Sequence, residues 1–359
     1  MSLYRTVRSF IGRNFVRPFE DYCALNRPDV YEFIFYNLRH TTRREDCGDA
    51  IFLQMNGYED FVQLKRANDF ALKIPLDFDA EPVKLKLAAI VHIFYPELAD
   101  ELKTLLLNVP TNLDVYISTT SPDKKVAVEK TFADFDKGSV TVKIFPNRGR
   151  DIAPAIVGFR DVYKNYDACV HLHSKKSPHA EKRLAGWREH LYHNLLGSPE
   201  IVGGILNILS RDEIGAVFPQ YFDPIRVSIN WGENFFATRD FLHKLGIEID
   251  SRHLIEFPAG SMFWFKPKAL APLLNCGLTF DDFPDELGQV DGTLAHAIER
   301  AFLFVVETAG FGWVKVDCGE KNFGMTPTLT SASPAQLDEN IVKARHSVLI
   351  RYRGTGNRQ

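Results

Sequence analysis

Three stretches carry side chains whose types and spacing suit chemistry on an anionic substrate. PNRGRDIAP (146–154) places Arg148 and Arg150 around Gly149 and follows them with Asp151. A glycine lets a backbone approach a ligand closely, and Asp151 suits a helix N-cap. A helix N-terminus beside two guanidinium groups is a diphosphate site, because amide N–H groups, the helix dipole and the guanidinium forks all favour anions. The competing reading is a solvent-exposed turn in which Asp151 neutralises an arginine. DACVHLHSKKSPH (167–179) begins as an apolar strand and ends in His171, His173, Lys175 and Lys176. Alternation puts His171, His173 and Lys175 on one face and Leu172 and Ser174 on the other. The lysines can neutralise phosphates as point charges. The HxH pair can also ligate a metal, although no carboxylate sits close in sequence. A polar strand end facing water is the plain alternative.

The third stretch, DELGQVDGTLAHAIER (285–300), brings Asp285, Glu286 and Asp291 to a loop that enters a helix. A carboxylate at such a junction is a candidate general base, and Asp291 is the first choice with Glu286 as the alternative. Acidic residues also cap helices without any catalysis. Downstream, His296, Glu299 and Arg300 fall on overlapping faces of the first turns. FPAGSMFWF (257–265) adds Gly260 and Ser261 among aromatics. Trp231 and Trp264 can stack on sugar faces, while burial in a core is the commoner use of tryptophan.

The elements that must position these groups are legible in the hydrophobic patterning. Apolar, β-rich runs occur at KLKLAAIVHIFY (84–95), DVYIST (114–119), VTVKIF (140–145) and DACVHLH (167–173). Helical stretches separate them, one with Ser121 as N-cap and one covering IAPAIVGFRDVYKNY. This alternation predicts an α/β fold, with a mostly parallel sheet covered by helices on both faces. Ligands in such sheets bind at the carboxyl ends of the strands. Further strands are predicted at IGAVFPQYF (214–222) and FPAGSMFWF, and a loop at INWGENF (229–235). Three regions result: a helical N-terminal extension (1–82), a central domain (83–318), and a C-terminal tail with a basic helix (319–359).

Composition narrows the function. The chain has 359 residues, 45% hydrophobic and 25% charged, with a formal charge of −3. No global basic field exists to recruit nucleic acid, so a polyanion site must be local. Cys23, Cys47, Cys169, Cys276 and Cys318 are odd in number and form no CxxC pair, which reads as reduced thiols in a cytosolic setting. No apolar run is long enough to span a membrane. The first 22 residues are amphipathic and basic, predicting either a helix on an anionic membrane surface or one docked on the central domain. GxxxxGK[ST], GxSxG and HExxH motifs are absent, leaving phosphate-loop and common hydrolase classes without support.

Together NRGRDIAP (147–154), HLHSKKS (171–177), NWGEN (230–234), FPAGSMFWFKPKAL (257–270) and DELGQVDGTLAHAIER (285–300) resemble the rhamnan synthesis protein F family of bacterial polysaccharide glycosyltransferases. The resemblance covers roughly residues 86 to 318. It implies transfer of L-rhamnose or a related deoxyhexose from a nucleotide donor such as dTDP-rhamnose onto cell-surface rhamnan or O-antigen chains. The β/α order also looks like the GT-A, Rossmann-like core, where the strand at DACVHLHSKKS takes the slot of an Asp-x-Asp metal motif. Histidine and lysine stand there instead, which implies metal-independent transfer while leaving HxH able to take a transition metal. On this reading Asn147, Arg148, Gly149, Arg150, Asp151, His171, His173, Lys175 and Lys176 hold the donor. Asp291 or Glu286 is the base of a single inverting displacement, and His173 or His296 orients the leaving group or acceptor. Trp231, Asn234, Gly260, Ser261 and Trp264 contact sugar or acceptor. The acceptor would be a glycan or lipid-linked glycan, reached in the cytoplasm or at the inner face of the membrane through the basic ends. A non-catalytic glycan-binding or scaffold subunit is the rival from another class.

Overall fold

The computed structural model describes residues 69–174, 184, 186–232, 234–250, 253, 255–286, 291–319 and 327–349. The amphipathic N-terminal stretch and Lys175 and Lys176 lie outside the described residues.

Nine strands form one mixed, mostly parallel sheet. They are β1 (Ala71–Lys73), β2 (Leu87–His92), β3 (Leu113–Thr119), β4 (Val140–Ile144), β5 (Ala168–His173), β6 (Ile214–Pro219), β7 (Phe263–Phe265), β8 (Gly312–Asp317) and β9 (Thr328–Leu329). Their order is β4-β3-β2-β5-β7-β6-β8-β1-β9. Only β7 runs against its neighbours, pairing antiparallel with both β5 and β6. The carboxyl ends of the other strands therefore share one edge.

The α/β expectation holds because β2 and β5 are apolar on both faces, as a strand covered on two sides must be. Alternate residues feed two cores. Ala88, Ile90, Cys169, Phe263 and Phe265 face one, and Ala89, Val91, Val170, Leu172 and Trp264 face the other. Helices α1 (Ala99–Leu106), α2 (Pro122–Thr131), α3 (Trp187–Leu196) and α4 (Pro199–Leu209) cover the second core. Helices α5 (Phe235–Lys244), α6 (Ala271–Leu274) and α7 (Leu294–Thr308) cover the first. Ser121 caps α2, its hydroxyl accepting from the Lys124 amide at 3.4 Å.

The structure departs from the sequence reading in several places. Strands β1, β8 and β9 went unread; β1 falls within residues assigned to the N-terminal extension and β9 within the tail, yet both join the sheet. The helix read over IAPAIVGFRDVYKNY is broken into a π-type turn at Pro154–Gly158 and a 3-10 turn at Tyr163–Asn165. Phe145 presses on Gly158, where a Cβ would meet the ring at 2.5 Å. The tail helix α8 (Pro334–Ala344) is not basic: Asp338 and Glu339 outnumber Lys343. Among the described residues no helix is long and apolar enough to cross a membrane.

Candidate functional site

The NRGRD turn leaves β4 at the shared carboxyl edge in a left-handed conformation, with φ of 64° at Gly149 and 55° at Arg150. Glycine is required at 149, since a Cβ there would lie 2.5 Å from Phe283 Cδ1 and 2.6 Å from the Ala153 methyl. A left-handed arginine costs on the order of 1 kcal/mol or more and persists only where its surroundings impose it. The turn runs into a short helical segment rather than a regular helix, and the Asp151 carboxylate turns inward instead of capping one.

Beneath this turn lies a cluster of one carboxylate and three imidazoles. Asp151 Oδ2 is 3.8 Å from His171 Nε2, and neither atom has a hydrogen-bond partner among the described residues. His92 ends β2 directly beside His173 on β5 and exchanges a 2.9 Å hydrogen bond with the Ser118 hydroxyl. Burial holds His92 down at about 4 and depresses His171, so both rings are neutral near pH 7. Burial works against the Asp151 anion, but His173, His171 and His92 outweigh it and lower its pKa. The sequence assigned His171 and Asp151 to donor contact. Both are instead buried under the site, because alternation aims His171 into the core beside Phe263.

The arginines meet the acidic loop. Arg148 Nε donates to Asp285 at 2.7 Å and its Nη1 to Asp281 at 3.2 Å; Arg150 Nε lies 3.5 Å from Glu286 Oε2. A diphosphate would compete with Asp281 and Asp285 for Arg148. Glu286, the alternative base, is engaged with Arg150.

Asp291 is held by the segment before α5. Its Oδ1 accepts from Asn234 Nδ2 at 2.7 Å, and Asn234 Oδ1 in turn accepts from the Gly292 amide at 3.2 Å. Arg300 Nη1 stands 3.9 Å from the same carboxylate oxygen, and the guanidinium is fixed by bonds to the Asn230 and His296 carbonyls. Burial raises the Asp291 pKa, but Arg300, the Asn234 hydrogen bond and His296 prevail and lower it. The carboxylate is ionised at neutral pH and its side chain is 32% exposed. His296 accepts at Nδ1 from the Thr293 amide, so its proton sits on Nε2. Burial, with Arg150 and Arg300 nearby, holds its pKa at about 4. His296 also senses Asp151, which ties the start of α7 to the NRGRD turn.

Gly260 and Ser261 join this group. His173 Nε2 donates to the Gly260 carbonyl at 2.8 Å, and the Gly260 amide donates to Glu299 Oε1 at 2.8 Å. The tryptophan expectations fail. Trp264 is fully buried in the opposite core and donates to the Leu195 carbonyl at 3.2 Å. Trp231 is buried as well, stacked on Phe304 with centroids 6.0 Å apart. Asn234, fully buried, positions Asp291 rather than facing an acceptor. His92, Glu299 and Arg300 were missed as site residues. For Glu299 and Arg300 the available signal was their three- and four-residue spacing from His296; for His92, a polar residue closing an apolar strand. Among the described residues no three of His, Cys, Asp and Glu stand together in a way that would hold a metal ion.

Comparison with known proteins agrees with the motif content. The family model described as rhamnan synthesis protein F matches residues 70–311. Two uncharacterized WxcX proteins, from two strains of Xanthomonas campestris pv. campestris, are each 30% identical to this chain, over 311 and 313 residues. The match takes in 86% of this chain but only 42% of each relative, so the chain spans less than half the length of the curated relatives it matches. The family match starts at β1 and takes in the NRGRD turn, the HxH strand, the Gly260–Ser261 turn and the start of α7, and the chain belongs to the rhamnan synthesis protein F family.

Proposed function

We propose that this chain is a glycosyltransferase of polysaccharide synthesis, moving a deoxyhexose, L-rhamnose by preference, from a nucleoside diphosphate donor to a growing glycan. Membership of the family supports the polysaccharide context. The observation that carries the reaction type is an ionised, part-exposed carboxylate, Asp291, grouped with Arg300, His296 and the NRGRD turn at the carboxyl edge of the sheet.

In this reading the acceptor hydroxyl attacks the anomeric carbon and inverts it. The bond from that carbon to the diphosphate oxygen breaks, and its electron pair leaves with the nucleotide. The hydroxyl proton passes to Asp291. Because the pKa of Asp291 is lowered, it accepts that proton late, once the forming C–O bond has made the hydroxyl acidic. Arg150, with Lys175 and Lys176, neutralises the charge that grows on the leaving diphosphate. These cations do the work a divalent metal would do, so transfer proceeds without one. The acceptor is a glycan or lipid-linked glycan presented at the cytoplasmic leaflet.

The engagement of Arg148 with Asp281 and Asp285 favours a second reading, a non-catalytic glycan-binding subunit with no diphosphate pocket. Calorimetric titration with dTDP, UDP and GDP, each with and without EDTA, separates the two. Binding of dTDP that survives EDTA supports the metal-independent rhamnosyltransferase. Binding of none of the three removes the donor site and favours the subunit. Asp291→Asn should then lower turnover by about 10²-fold or more with nucleotide affinity retained. Turnover within a few-fold of wild type would remove Asp291 as the base.

A further inference from the structure

We infer that His173 and Glu299 are positioning residues that clamp the Gly260 peptide groups and thereby set the left-handed Gly260–Ser261 turn that leads into β7, a role distinct from donor binding. The inference rests on the transferase reading for its catalytic consequence, but the clamp itself is a matter of hydrogen bonds. The turn has φ of 88° at Gly260 and 58° at Ser261, two successive left-handed residues of which the second carries a side chain. Such backbone persists only where neighbours over-determine it. Two elements do so here. From β5, His173 Nε2 reaches the Gly260 carbonyl; from α7, Glu299 Oε1 takes the Gly260 amide, each at 2.8 Å. The Ser261 amide closes the turn internally on the Pro258 carbonyl at 2.8 Å. Packing adds a third restraint, since a Cβ on Gly260 would lie 3.0 Å from Leu191 Cδ1 and 3.2 Å from Trp187 Cζ2.

The clamp is coupled to the reacting groups by α7. Glu299 comes three residues after His296 and adjoins Arg300, whose guanidinium stands beside Asp291. One helix therefore carries both the carboxylate that holds the turn and the guanidinium that stands beside Asp291. A carbonyl can only accept, so the 2.8 Å bond commits the His173 Nε2 proton to Gly260. This gives HxH a use that needs neither a metal nor a phosphate. Its first histidine faces the Asp151 carboxylate and the backbone of Ser261, and its second holds Gly260.

Amide exchange and imidazole ¹⁵N spectra on the full chain test the clamp without relying on activity. The His173 ring should carry its proton on Nε2, and the Gly260 amide should be protected in the wild type and in Glu299→Gln, whose side-chain carbonyl can still accept. Protection should fall at least about tenfold in Glu299→Ala. In turnover assays, His173→Ala and Glu299→Ala should lower kcat by about 10²-fold with nucleotide Kd within about twofold of wild type. His173→Gln, which keeps an N–H near the Nε2 position, and Glu299→Gln should recover most of that loss. Unchanged Gly260 exchange in Glu299→Ala would overturn the clamp. A tenfold or greater loss of nucleotide affinity in His173→Ala would return His173 to the donor site. Should the wild type bind no nucleotide, the transferase reading fails, and the exchange experiment still decides the clamp.

Discussion

Acid should unfold this protein through two histidines that the native state keeps neutral. His92 faces Asp151, His171, His173 and Lys124, and His296 faces Arg150, Asp151, Asp291 and Arg300. Both are buried, and burial leads the forces that hold each pKa at about 4, against 6.5 for an ordinary histidine. Proton counting gives the sign. Between those two values the unfolded chain binds protons that the native state refuses, so stability falls as pH falls. Integrating proton uptake gives a loss of about 2 kcal/mol per histidine between about pH 7 and pH 5, or about 4 kcal/mol for the pair. The loss levels off below about pH 4, where the native rings protonate too, and the lowered Asp151 pKa becomes important only in that more acidic range.

That is a large share of the roughly 5–15 kcal/mol available to a folded domain. The assay is urea unfolding at several pH values, followed by fluorescence of the buried Trp231, Trp264 and Trp313. The control is His92→Asn with His296→Asn. Asparagine places a polar atom near Nδ1, where His92 meets Ser118 and His296 meets Thr293, but does not titrate. The double variant should lose about 4 kcal/mol less than wild type over the same range. Equal losses in the two proteins would refute the argument, since acid destabilisation would then come from other groups.

Three further outcomes are expected. Lys315→Ala should cost about 3–5 kcal/mol in urea unfolding, because Lys315 is fully buried between Asp69 and Glu256 and its loss removes their shared cation, leaving Arg226 to Asp69 and the Tyr221 hydroxyl to Glu256. Gly149→Ala should destabilise by about 1–3 kcal/mol, measured the same way, since its φ of 64° and the contacts with Phe283 and Ala153 leave no room for a methyl. Trp264→Phe should cost about 1–3 kcal/mol through the lost bond to the Leu195 carbonyl, while leaving nucleotide and glycan affinity unchanged; weakened glycan binding in calorimetry would restore Trp264 as a sugar contact.

The sequence by itself determined the strand-and-helix alternation around β2 to β5, the Ser121 cap and the turn at Gly149. These depend on short-range rules: a period of two for strands, a hydroxyl before a helix, a residue tolerant of positive φ. Strands β1 and β9 are only three and two residues long, so their patterning was too short to fix, and they exist because neighbouring strands offer a ladder to pair with. Tertiary structure alone decided which side of β7 faces the site. Its pairing of Phe263 with His171 sends Trp264 to the opposite core, a choice that alternation within three residues cannot make. It also decided the electrostatics. Arg148 meets Asp285 across 137 positions, and His171, which read as positive chemistry at a strand tip, is neutral because burial removes it from water. Charge and solvation act through space, so the protonation states of this site are fixed by packing rather than by order along the chain.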